Sequence, residues 1–249
     1  RTQKEAGEIV ALDERANLVA IKRSRASEES APLTALIPSG PLRTREQRAA
    51  LQRIGRAFLA GSLEREHPAT FDVLTARDPR VRSEDGSALR VLQPDRVDAT
   101  SVSRVVRGLD NSYLFMQGPP GSGKSTIAAK VIVDLLRAGK RVGVTSTGHK
   151  AIHHILHKVE AGALEAGLTF RGLHKASDAN GGSTFVSRLD RPYVESVTDA
   201  AEFGDPECRL AGGTAWLFTR DELDGAFDYL FVDEAGQVSL ADALALSAC

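Results

Sequence analysis

The stretch that most constrains this chain is Gly118-Pro119-Pro120-Gly121-Ser122-Gly123-Lys124-Ser125, which fits the pattern G-x-x-x-x-G-K-[ST]. Ahead of it, Tyr113-Leu114-Phe115-Met116 is a short apolar run of strand-forming residues. Behind it, Thr126 to Arg137 carries apolar residues at helical spacing among good helix formers. Strand, glycine-rich turn and helix in that order describe a loop that wraps a polyphosphate with backbone N–H groups. The chain must then come very close to the anion, which glycine permits because it has no side chain in the way. On this reading Gly118, Pro119, Pro120, Gly121, Ser122, Gly123, Lys124, Ser125 and Thr126 bind a nucleotide. Lys124 brings positive charge to the β- and γ-phosphates, and Ser125 offers its hydroxyl to Mg²⁺. The helix N-terminus adds a partial positive charge.

A second chemical site follows the apolar run Phe227 to Val232, which reads as a buried strand ending at Asp233-Glu234. A nucleotidase needs a carboxylate there to hold the water shell of Mg²⁺, the role expected of Asp233. Glu234 can reach a water in line with the γ-phosphate and act as general base. The string Asp233-Glu234-Ala235-Gly236-Gln237 also fits the D-x-x-G-Q of small GTPases. Those proteins place their two motifs closer together and do not need the acidic residue at Glu234. Their guanine-reading N-K-x-D is absent from this sequence.

The remaining pattern supplies the frame. Arg141 to Thr147 is a β-branched strand and His149 to Glu160 a second helix, so strand–loop–helix occurs twice. That repetition predicts an α/β domain with a mainly parallel sheet and crossover helices. Leu168–Lys175 and Ser183–Ser187 read as short strands around a turn at Asp178–Gly182, and Asp199–Arg209 reads as a loop. Leu210–Thr219 reads as a strand with a small-residue turn. Near the N-terminus, Glu8–Leu12 and Leu18–Lys22 give a hairpin signal, followed by a Ser-, Pro- and Glu-containing connector. Thr44 to Leu63 is amphipathic, with Thr44 as N-cap, Gln47 three residues later and a stripe of Leu51, Ile54, Phe58 and Leu59. Residues 64–94 read as loops with one short helix around Phe71–Thr75, and Asp98–Leu109 as another helix. The expected organisation is a small β element and connector over 1–40, a helical lead-in over 41–98 and a nucleotide-binding lobe over 99–249. Both ends read as cut, because the chain begins at Arg1 and stops inside an apolar helix-like pattern.

Composition narrows the class. The 249 residues carry a formal net charge of −1, so overall charge gives no case for a nucleic-acid partner. Two cysteines, Cys208 and Cys249, provide neither a disulfide framework nor a paired metal-ligand spacing. No apolar run approaches the ~18 residues a membrane span needs, and no secretory segment opens the chain. A soluble, cytoplasmic protein is expected.

At this point the sequence resembles superfamily 1 helicases, in the group that includes the RNA-surveillance helicase. Gln117 to Ser125 resembles their motif I, and Val142 to Ile152 (VGVTSTGHKAI) looks like motif Ia. Gly213 to Phe218 looks like the strand before motif II, and Asp233-Glu234-Ala235-Gly236-Gln237 is similar to the D-E-A-x-Q of motif II. The details look closest to bacterial fusions of a RecB-family nuclease with such a helicase. The resemblance implies a P-loop, RecA-like first motor lobe that binds ATP and Mg²⁺ and acts on single-stranded DNA or RNA, with a second RecA-like lobe elsewhere. It implies that Thr145, Ser146, His149 and Lys150 lie near the nucleic acid. Lys124, Glu234 and Gln237 would serve catalysis, with Gln237 coupling the γ-phosphate to the nucleic-acid side. The adenine-reading glutamine upstream of motif I has no match here, since Gln93 stands too far away.

Three further features keep two readings each. His149, His153 and His157 share one helical face by spacing. They form either a polar, nucleic-acid-facing stripe or part of a metal site that lacks a ligand from outside the helix. Trp216 lies in an apolar run and suits core packing better than base stacking. The arginines of Arg43 to Arg56 suit a solvated helix face. At the level of function, the alternative to a helicase lobe is a GTPase-type switch or a nucleotide-binding scaffold.

Overall fold

The computed structural model describes residues 8–13, 18–22, 44–83, 85–89, 97–177 and 181–247. The chain divides into two units, Arg1–Arg43 and Thr44–Cys249. In the first, β1 (Glu8–Asp13) pairs antiparallel with β2 (Leu18–Lys22), the hairpin that the β-rich runs predict. The expected turn after Asp13, the connector and Gln93 lie outside the described residues.

The second unit is built on a five-stranded, all-parallel sheet. Its order is β5 (Val194–Val197), β4 (Arg171–Lys175), β6 (Cys208–Gly212), β3 (Val142–Thr145) and β7 (Tyr229–Val232). Every residue of β3 is buried, as an inner strand covered on both faces requires. On one face, α5 (Lys124–Arg137) and α6 (His149–Glu165) bury Val131, Ile132, Leu135, Ile152, Leu156 and Val159 against Val142, Val144 and Leu210. On the other face, Leu173, Ala211, Phe203, Phe218 and Phe227 form a second cluster with Leu246 of α8 (Leu240–Leu246). The fold is therefore α/β with a parallel sheet between layers, consistent with a RecA-like P-loop domain. Gly212 lets α6 lie close to the sheet, because a Cβ there would meet Leu156 Cδ1 at 2.8 Å.

Helices α1 (Arg45–Leu59), α2 (Leu63–Glu66), α3 (Pro68–Thr75) and α4 (Ala99–Arg107) belong to the same unit. Asp98 and Ser101 close a capping box at the start of α4. The box expected at α1 does not form: Thr44 makes no cap bond, Gln47 is buried, and the stripe members Phe58 and Leu59 are exposed.

Three strand expectations are corrected. Tyr113–Met116 joins no sheet. The chain just before it bridges antiparallel to another segment through Val81 and Leu109, with Asp110 N–H donating to the Arg80 carbonyl. Buried Asp72 accepts from Ser112 Oγ at 2.7 Å and pairs with Arg80 at 3.0 Å, and Tyr113 donates its hydroxyl proton to the Arg77 carbonyl. These ties hold the run along residues 72–82. Ser183–Ser187 is irregular, and the edge strand is β5 instead. It is positioned by buried Glu160 of α6, which accepts from Tyr193 N–H, Val194 N–H and Ser187 Oγ. Leu210–Thr219 is not one strand: β6 ends at Gly212 and α7 (Ala215–Phe218) follows.

Candidate functional site

The phosphate-loop residues meet at the N-terminus of α5. Gly121 and Gly123 have φ of 79° and 87°, left-handed values that side-chain-bearing residues adopt only under strain. They turn the chain so that Lys124 opens the helix. Lys124 Nζ donates to the carbonyls of its own loop, Gly118 O at 2.5 Å and Pro119 O at 2.9 Å. An ammonium folded over the loop carbonyls, at a helix N-terminus, fits a phosphate group. Ser125 is half-buried on the first turn, and Thr126 Oγ1 accepts from Lys158 Nζ of α6 at 2.6 Å. Lys158 is a second cation beside the loop that the sequence pattern did not single out. Only the fold, by laying α6 along α5, brings it there.

The carboxylate pair stands at the C-terminal end of β7. Asp233 N–H donates to Thr145 O, so the ladder of β3 and β7 continues one step past the strands. Asp233 is half-buried and Glu234 exposed. Glu234 adopts φ 53° and ψ 37°, one of three positive-φ residues other than glycine among those described. The 3-10 turn Ala235–Gln237 follows, and Thr147 Oγ1 donates to Gln237 Oε1 at 3.4 Å. The strand ends of β3 and β7 are thus joined side by side. Ser125 carries a hydroxyl and Asp233 a carboxylate, oxygen donors of the kind that Mg²⁺ takes.

The residues expected near nucleic acid divide. Thr145 and Ser146 are 1% and 4% exposed, which takes both side chains away from any strand on the surface. Thr147 and Lys150 are exposed and His149 half-buried. His149 Nδ1 lies 3.3 Å from Nε2 of His174, a buried residue of β4. His153 packs on the same ring, with centroids 4.7 Å apart. Burial holds His149, His153 and His157 below the ordinary imidazole range and pushes His174 down to about 3, with neighbouring imidazoles and Lys175 adding to the shift at His174.

A cavity of about 290 Å³ opens beside His149 and is lined also by Lys175, Thr214, Trp216 and Arg220. Trp216 is 38% exposed on α7, not in the core where its apolar neighbours placed it. Leu217 and Phe218 take the buried positions instead. The lining is basic and aromatic, although the chain as a whole is nearly neutral. No helix among the described residues is long and apolar enough to cross a membrane.

Comparison with known proteins adds one relative. Over 154 residues the chain is 29% identical to the DNA replication ATP-dependent helicase/nuclease DNA2 of Saccharomyces cerevisiae. Over that stretch it is similar to a helicase/nuclease. The match covers 58% of this chain and 9% of the yeast protein, so the chain corresponds to a small part of that relative. No family model matches the chain.

Proposed function

We propose that this chain is the ATP-binding and ATP-hydrolysing motor lobe of a superfamily 1 helicase, acting on single-stranded or duplex nucleic acid. The observation that carries the reading is the pairing of two sites. Lys124 opens α5 from a loop with two left-handed glycines, while Asp233 and Glu234 end β7 hydrogen-bonded to the strand of the motif Ia segment. The similarity to a helicase/nuclease supports the same class.

The roles follow from the side chains. Lys124 exchanges its two loop carbonyls for β- and γ-phosphate oxygens, which the short reach of those bonds makes a local movement. Backbone N–H groups of Gly121, Gly123, Lys124 and Ser125 face the phosphates, with Thr126 and Lys158 flanking them. Ser125 and Asp233 would hold Mg²⁺, which would neutralise phosphate charge. Glu234, exposed on its turn, takes the proton of the attacking water. Gln237, joined to Thr147, links that event to the motif Ia loop. Coupling to movement belongs to the lobe together with a second RecA-like lobe of the parent chain.

Nucleotide titration with a fluorescent ATP analogue, and ATP turnover with and without an oligonucleotide, test the reading. Lys124→Ala should weaken ATP binding by more than about tenfold, because the phosphate charge is left uncompensated. Glu234→Gln should bind ATP like wild type while turnover falls about 10²–10⁴-fold, the range for a positioned general base. Unchanged ATP affinity in Lys124→Ala would overturn the assignment. A preference for GTP without any response to a single strand would point to the switch instead.

A further inference from the structure

The histidines of α6 lacked a partner from outside their helix in the sequence pattern, and β4 supplies one. We propose that His149, His153 and His174 form a binding site for a divalent first-row transition-metal ion of the Zn²⁺ class, fastening the start of α6 to β4. One ring nitrogen from each of the three lies within 4.8 Å of the other two. The site is separate from the oxygen donors at Ser125 and Asp233, and it does not rest on the nucleotide reading.

The hydrogen bonds accommodate the tautomer that a metal needs. Ser196 Oγ has one proton, which it donates to Phe185 O at 3.1 Å, and it accepts from Phe185 N–H at 2.8 Å. With that proton on Phe185 O, its contact at 3.2 Å with His174 Nδ1 is made by a proton on Nδ1. That leaves the Nε2 lone pair of His174 directed at His149. A second-shell donor bond of this kind is what orients a ligating imidazole. His153 Nε2 is buried and has no hydrogen-bond partner, an orphan that a shared cation would satisfy.

The spacing of one pair matches two ligands of a single ion, with the His153 nitrogen within 4.8 Å of both. A tetrahedral ion with Zn–N bonds of about 2.0–2.1 Å separates its ligand atoms by roughly 3.3 Å. His149 Nδ1 and His174 Nε2 stand 3.3 Å apart, which is long for an N–H···N hydrogen bond. Such a bond alone would also leave His153 Nε2 unpaired. Three imidazoles without a carboxylate select Zn²⁺, Co²⁺, Ni²⁺ or Cu²⁺ over Mg²⁺ and Ca²⁺. Burial lowers the pKa of all three rings, which favours the neutral form that a metal binds. Lys175 is the cation that faces His149 and His174 and opposes binding. Its ammonium is turned to the Ala176 carbonyl at 2.7 Å. His149 also lines the open cavity, so a water can complete the shell.

The test uses tag-free protein, stripped with a chelator and titrated with Co²⁺ in excess Mg²⁺, which occupies oxygen sites. Wild type should take up one equivalent with the visible absorption of a low-coordinate, nitrogen-ligated Co²⁺, and Zn²⁺ should abolish that absorption. His153→Ala and His153→Gln should each weaken Co²⁺ binding by more than about tenfold, since loss of a ligand costs at least what loss of its orienting partner costs. His174→Ala should do the same, and His154→Ala, on the exposed face, should bind like wild type. Folding of each variant is read by circular dichroism; should His174→Ala unfold, the two His153 variants decide. Absence of a one-equivalent signal in wild type, or equal binding in both His153 variants, overturns the site.

Discussion

Glu234 sets an exposed carboxylate on a left-handed backbone. Its left-handed backbone costs a residue with a Cβ about 1–2 kcal/mol. Asp233 is held by its N–H bond to Thr145, so the turn after it cannot relax without breaking the register of β3 and β7. Strain of this sort clusters where geometry matters for function. Glu234→Ala and Glu234→Gly should therefore lose ATP turnover alike but differ in stability. The glycine variant should be more stable than the alanine variant by about 1 kcal/mol, read from urea midpoints at equal slope. Equal midpoints would show that the turn is not strained. At this scale the sequence was informative about identity and silent about exposure. Lys124 and Ser125 open a helix, and Asp233 and Glu234 follow directly on β7. Burial of Thr145 and Ser146, and exposure of Trp216, depend on what packs against them, which no local pattern records.

Among the elements, those with a strong local period were legible and those fixed by distant polar contacts were not. α5, α6, β3 and β7 carry apolar patterns of their own, and each forms where the pattern places it. β5 reads VESV and has little apolar character. Its place at the sheet edge depends on Glu160, more than thirty residues away, accepting two backbone N–H groups and one hydroxyl. The Tyr113–Met116 run fails the other way: its composition suits a strand, but the Asp72 network pulls its approach onto another segment. A direct measurement follows for Glu160. Glu160→Ala leaves three donors without their acceptor and should cost about 3 kcal/mol in thermal or urea unfolding. Glu160→Gln keeps an acceptor for the two N–H groups and should cost about 1 kcal/mol. If both variants unfold like wild type, the carboxylate does not hold the β5 edge.

At the scale of the whole molecule, a net charge of −1 conceals an uneven surface. The motif order predicted a parallel α/β core, and that core forms although the first of the two strand–loop–helix units lacks its strand. The cavity was not predictable, because its walls come from α6, β4, α7 and the turn after α7. Lys175 and Arg220 bring positive charge to it and Trp216 a partly exposed indole, side-chain types that suit a single strand through backbone charge and base stacking. Burial and Arg220 both lower the Lys175 pKa, while Asp199 opposes them. A strand held there should show a salt dependence that these cations set. Each phosphate contact contributes about 0.7 to the slope of log K against log salt for single strands. Lys175→Ala with Arg220→Ala should therefore reduce that slope by about 1.4 and weaken binding most at low salt. Trp216→Ala should weaken binding by about 1–3 kcal/mol and leave the slope unchanged, because stacking releases no counterions. The measurement is an oligonucleotide titration at several salt concentrations with each variant. A slope unaffected by the double cation variant would place the strand on another surface, with Lys150 on the exposed face of α6 as the next position to change.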